Sequence, residues 1–205
     1  MIQSKEDYRF YVECDRRALG IKKPNLFWRL ESLIVPEIWR FEERLRKTEY
    51  FLNCKNQKNL FIKTYTCWLQ YRLKVLGLKL GYTIKQNVFG PGLCLCHTGT
   101  IVINGDCKFG ANARIHAGVN VGQFGTLDEK GEWISSKPPV FGDNVYIGPG
   151  AKIYGNIVIG NDVAIGANAV VNKDVPDHVT VAGIPATIIN RRGSENMFPH
   201  GDERV

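Results

Sequence analysis

The sequence predicts a mainly β fold, a parallel β-helix of six-residue repeats preceded by an N-terminal α-helical region. Three observations carry this expectation. Aliphatic or aromatic residues recur every sixth place at Ile103, Phe109, Ile115 and Val121, and again at Phe141, Ile147, Ile153, Ile159, Ile165 and Val171. Four places after the anchors comes a second apolar or small residue: Cys107, Ala113, Val119, then Val145, Ala151, Ile157, Val163, Ala169 and Val175. Gly follows the anchor at 110, 122, 142, 148, 160 and 166. Neither the helix period of about 3.6 nor the strand period of about 2 produces this spacing. One short strand plus one corner per hexad does, with three hexads to a coil, anchors stacked inward and Gly or Asn/Asp at the corners. A sandwich of short strands is the alternative, but its turns would not hold one fixed spacing.

Taken in order, KEDYRFYVECDRRA (5–18) reads as a helix with Tyr8, Tyr11 and Val12 on one side, stopping near Gly20. Lys22 to Pro24 form a loop, and Asn25 to Ile34 a short helix. PEIWRFEERLRKTEYFL follows as a helix, with Pro36 suited to its first turn and Trp39, Leu45 and Phe51 offering apolar contacts. After the polar connection Asn53–Asn59, a helix over Leu60–Leu78 is apolar on most sides and is expected to be largely packed, against partners or the first coil. Phe89-Gly90 and Leu95 already fit the six-residue count, and a two-residue slip at Thr100–Val102 separates them from Ile103. Allowing for the slip, Leu95 stacks on Ile115, and Cys96 on His116. GQFGTLDEKGEWISSKPP (122–139) breaks the repeat and should project as a long loop, a common place for function. The expected organisation is therefore helical over 1–84 and β-helical over 85–190, with a polar tail over 191–205 whose last residues, MFPHGDERV, are disordered.

At 205 residues the chain can bury a substantial core. It contains neither an apolar run long enough for a membrane span nor a signal-peptide core, so a cytoplasmic location is expected. Six cysteines without a CxxC pair fit reduced packing thiols. Charge is uneven: residues 1–85 hold 18 Lys/Arg against 9 Asp/Glu, a balance of +9, and the remainder 9 against 11, or −2. No nucleic-acid motif accompanies the basic half, whose plain reading is a solvated helix surface; docking on an anionic membrane is the functional alternative.

HTGTIVI (97–103), the hexads to Val175, and VAGIPATII (181–189) resemble the serine acetyltransferase branch of the hexapeptide-repeat acyltransferases, over about residues 85–190. The helical front piece is shorter than in serine acetyltransferases proper. Length and pattern are similar also to acetyltransferases of capsule and exopolysaccharide loci. The resemblance implies a left-handed parallel β-helix, a homotrimer that can pair into a dimer of trimers, active sites at subunit boundaries, acetyl-CoA as donor, and no metal.

A hydroxyl attacking a thioester needs a base near its proton, and imidazole titrates in a suitable range. His97 occupies the place of the family's catalytic base, in CHTGT. His116, one coil away, is a candidate for acceptor binding together with Cys96, Lys137 and Asp15. A Cys-His nucleophile built on Cys96 is the weaker alternative, because transfer in the resembled family is direct. The family's acetyl-CoA contacts fall on Gly122, Gly148, Gly166 and Ala167, and Lys173, Arg191 and Arg192 are candidate phosphate partners. Cys96 stands where serine acetyltransferases carry an Asp before the base, Tyr82 near their second Asp, and Ser136-Lys137 where an Arg-His pair grips the serine carboxylate. These departures make a sugar, nucleotide-sugar or polysaccharide hydroxyl the first expectation for the acceptor, serine the second, and a non-catalytic or metal-binding trimer the third.

Overall fold

The computed structural model describes residues 1–22 and 36–204, so the short helix expected over Asn25–Ile34 lies outside it. Among the described residues three helices precede the strands: α1 (Lys5–Ala18), α2 (Glu37–Cys54) and α3 (Leu60–Leu80). Ser4 caps α1 by accepting from Asp7 N–H, Asn59 caps α3 through Phe61 and Ile62 N–H, and Gly81, at φ +82°, ends α3 in the left-handed region. The chain then winds through short strands, β1 (Tyr82–Thr83), β2 (Cys94–Leu95), β3 (Ile101–Ile103), β4 (Lys108–Phe109), β5 (Arg114–Ile115) and β6 (Asn120–Gly122). An antiparallel hairpin, β7 (Gly125–Leu127) and β8 (Trp133–Ser135), interrupts it. Winding resumes with β9 (Val140–Phe141), β10 (Tyr146–Ile147), β11 (Lys152–Tyr154), β12 (Val158–Ile159), β13 (Ala164–Ile165) and β14 (Val170–Val171). It closes with β15 (Thr180–Gly183) and β16 (Ala186–Asn190).

Three parallel walls result: β1-β3-β6-β11-β14, β2-β5-β10-β13-β15, and β4-β9-β12. β16 adds antiparallel to the end of the second wall. The registers match the six-residue count, with Leu95 on Ile115, Ile115 on Ile147, Ile147 on Ile165, and Ile165 on Val181. The anchors form one continuous core from Phe41 and Leu45 to Val181. In the third wall Phe109 and Phe141 stack face to face at 3.9 Å between ring centres, and Phe89 lies tilted against Phe109 at 4.6 Å.

Corners explain the Asn and Asp. Asn112, Asn144 and Asp162 each adopt a positive φ near +55°, which short polar side chains tolerate. The three form a ladder: Asn112 Nδ2 donates to Asn144 Oδ1 and Asn144 Nδ2 to Asp162 Oδ1. Asp143, Asn161 and Asp177 accept backbone N–H groups from the preceding coil at Ala111, Asp143 and Asn161.

The first coil exposes an edge, and the helices cover it. Asp15 Oδ1 accepts Gly92 and Leu93 N–H, Glu42 Oε1 accepts Leu95 N–H, and Glu49 Oε1 accepts Asn87 N–H. Arg46, fully buried, pairs with Asp15 and Glu49 and donates to the carbonyls of Phe89 and Gly90. Removing one partner of such a buried pair costs about 3–5 kcal/mol.

Within one chain α3 buries Thr66, Leu69, Leu73, Gly77 and Leu80, while Leu60, Phe61, Trp68, Tyr71, Val75 and Leu78 are exposed, because one stripe alone meets α2 and the first coil. One expectation is corrected here. The tail is ordered. Ser194 donates from its backbone to Asp162 O and from its hydroxyl to Asn144 O, and Gly201 and Asp202 N–H both bond Asn112 Oδ1. The tail thus follows the Asn ladder back toward α1, where Arg204 pairs with Asp202 and lies 3.8 Å over the Phe10 ring.

Candidate active site

Strands of the second wall point one residue outward before each anchor and one after it. The leading row is Cys94, Arg114 and Tyr146; the trailing row is Cys96, His116, Gly148 and Gly166. Backbone bonds hold the trailing row in line, from Cys96 N–H to Ile115 O, His116 N–H to Ile147 O, Gly148 N–H to Ile165 O and Gly166 N–H to Val181 O.

His97 follows this row at the corner, exposed, with its ring centre 5.5 Å from that of His116. The His116 ring stands 5.1 Å from Tyr146, so three rings line one edge. Tyr82 donates its hydroxyl to His97 O at 2.9 Å, which anchors the backbone carrying the imidazole. Below His116 the floor turns to glycine. A Cβ on Gly148 would lie 2.8 Å from Ala167 N, and one on Gly166 would lie 2.9 Å from Ala182 Cβ. Gly148 and Gly166 thus lie flush against the next coil in the row that carries the imidazoles, with Ala167 exposed beside them.

The electrostatics are distinctive. Burial, His97 and Arg114 hold the His116 imidazole below its usual range, which keeps it neutral at neutral pH. The Cys94 and Cys96 sulfurs are 3.9 Å apart. Hydrogen bonding from Cys94, aided by Arg114, lowers the Cys96 thiol against the opposing effect of burial. Cys94 is raised by that same bond and by burial.

The other predicted residues divide. Gly122 lies on the first wall beside an open cleft of about 420 Å³ that Lys85, Asn104 and Gln123 also line. Lys137 is exposed where the β7–β8 arm returns to the solenoid, and Lys173 is exposed at the corner after β14. These three belong to a different edge of the prism from His97. Arg191 and Arg192 are exposed and leave β16 beside Thr180. Asp15 is corrected outright: buried against Arg46 and the first-coil amides, it meets no acceptor. Among the described residues no group of three or more His, Cys, Asp or Glu is arranged to hold a metal.

Sequence reasoning missed Arg114, Tyr146 and Phe198. Arg114 and Tyr146 precede anchors already counted, so the outward row before Ile115 and Ile147 was there to be read. Phe198 carried no signal; the tail folds it to 6.3 Å from Tyr146 and 5.6 Å from the Arg114 guanidinium.

The family model described as bacterial transferase hexapeptide (six repeats) matches residues 138–173. The serine acetyltransferase of Staphylococcus epidermidis is 44% identical over 104 residues, covering 51% of this chain and 46% of its own length. The chain therefore spans about half the length of the curated relatives it matches. The solved serine acetyltransferase of Neisseria gonorrhoeae in complex with serine is 28% identical with a TM-score of 0.65, covering 91% of this chain and 71% of that one. The solved serine acetyltransferase of Brucella abortus in complex with coenzyme A is 27% identical with a TM-score of 0.67, covering 92% and 70%. The solenoid is the left-handed parallel β-helix that the resemblance implied.

Proposed function

We propose that this chain, whose repeats place it with the hexapeptide-repeat acyltransferases in their serine acetyltransferase-like branch, moves an acetyl group from acetyl-CoA to a hydroxyl, with L-serine as acceptor. The observation that carries the reading is the row in which His97 and His116 stand at the head of the flush Gly148 and Gly166. His97 takes the acceptor proton as the hydroxyl oxygen attacks the thioester carbon, then returns it to the departing thiolate. Backbone N–H groups at the corners can meet the developing oxyanion.

Serine replaces the sugar hydroxyl that the departures at Cys96 and Lys137 favoured, because the matched relatives are serine acetyltransferases and one solved neighbour holds serine. The division of the predicted residues between two edges supports a homotrimer, in which one subunit's His97 edge meets a neighbour's Gly122–Lys137 edge.

Acetyl-CoA offered with L-serine, sugars or nucleotide sugars, with release of free CoA followed, tests the acceptor: serine turns over fastest, and turnover on a sugar alone would transfer the assignment. His97→Ala should lower kcat about 10²- to 10⁴-fold without altering thermal unfolding, since the His97 side chain is exposed. Unchanged turnover would remove His97 from the role of base.

A further inference from the structure

Three buried side-chain polar atoms lack a partner among the described residues: Arg114 Nη1, His116 Nε2 and Glu42 Oε2. Arg114 and His116 flank the same anchor, Ile115, and His116 is the neighbour of His97. Arg114 makes no ion pair among the described residues, and Phe198 covers its guanidinium. Of the groups that face it, Cys96 is hydrogen-bonded by Arg114, which lowers its thiol. Glu42 is held well above the usual carboxylate range by burial and by Asp15. Arg114 is half-buried, and a buried N–H without an acceptor is unfavourable, so its Nη1 is a donor awaiting one. The loop meanwhile offers Lys137 where the resembled family has its two-pronged grip.

We propose that Arg114 anchors a carboxylate on the acceptor, so that the site selects a small hydroxyl-bearing carboxylic acid over a neutral alcohol. This rests on the acetyl-transfer reading and names the substrate class of that same site. Arg114 grips the carboxylate from the leading row, His116 Nε2 meets a second polar group, and the hydroxyl is directed to His97. The anchor has moved from the projecting loop to the wall.

Transfer rates should be measured for L-serine, L-serinamide and serinol, with wild type, Arg114→Gln and Arg114→Lys. Wild type should favour serine over both neutral analogues. Arg114→Gln should lower kcat/KM for serine about 10- to 100-fold, mainly through KM, and leave serinol within threefold; Arg114→Lys should recover part of the loss. Equal use of serine and serinol by wild type, or a parallel fall on all three acceptors in Arg114→Gln, overturns the anchor while acetyl transfer stands. Release of CoA with no hydroxyl acceptor at all overturns the parent reading, and the anchor with it.

Discussion

Glu42 carries its consequence alone. One carboxyl oxygen takes Leu95 N–H, the other has no partner among the described residues, and burial holds the group protonated well above the usual carboxylate range. A raised folded-state pKa contributes stability that is complete below the unfolded value and is lost as pH rises through the folded value. Wild type should therefore lose stability with rising pH at up to about 1.4 kcal/mol per pH unit across that window. Glu42→Gln, which keeps the acceptor for Leu95, should remove this slope in urea unfolding followed at several pH values; a slope equal to that of wild type would assign the titration elsewhere. The same scale shows how much of the site was legible. His97 and its neighbour His116 could be placed from the hexad count, because register follows from spacing. Arg114 could not be told from a solvated surface residue, since the side chain that covers it, Phe198, belongs to a segment with no repeat.

Among the elements, corners and strand ends obey local rules and the helices do not. Gly148 sits flush between coils, with no room for a methyl beside Ala167 N. Gly148→Ala should cost about 1–3 kcal/mol of stability and weaken coenzyme A binding, read by thermal unfolding and by calorimetric titration. Tight binding retained at full stability would show that coenzyme A does not pass over Gly148. α3 illustrates the opposite case, since its composition reads as a packed helix while only one stripe is covered. The acid residues of α1 and α2 read as ordinary helix-surface charges, yet Asp15, Glu42 and Glu49 close the open edge of the first coil.

For the molecule as a whole, the residues assigned to the proposed site fall on two separate edges, and Val140, Val158, Phe124 and Trp133 are exposed. Association into a closed ring would cover such apolar surface and join the edges. Sedimentation equilibrium should therefore report three chains per particle, and a monomer with full activity would show that a single edge suffices. No helix among the described residues is long and apolar enough to cross a membrane.

The sequence by itself determined the prism, its register and the level at which the imidazoles sit, because a fixed six-residue period leaves one way to stack the anchors. It also marked the projecting hairpin as a break in that period. Only the tertiary structure decided that Asp15 seals an edge, that the tail climbs the Asn ladder, and that Arg114 keeps a buried Nη1 without a partner among the described residues. Those outcomes depend on contacts between segments distant in the chain, where no local spacing rule links one residue to the other.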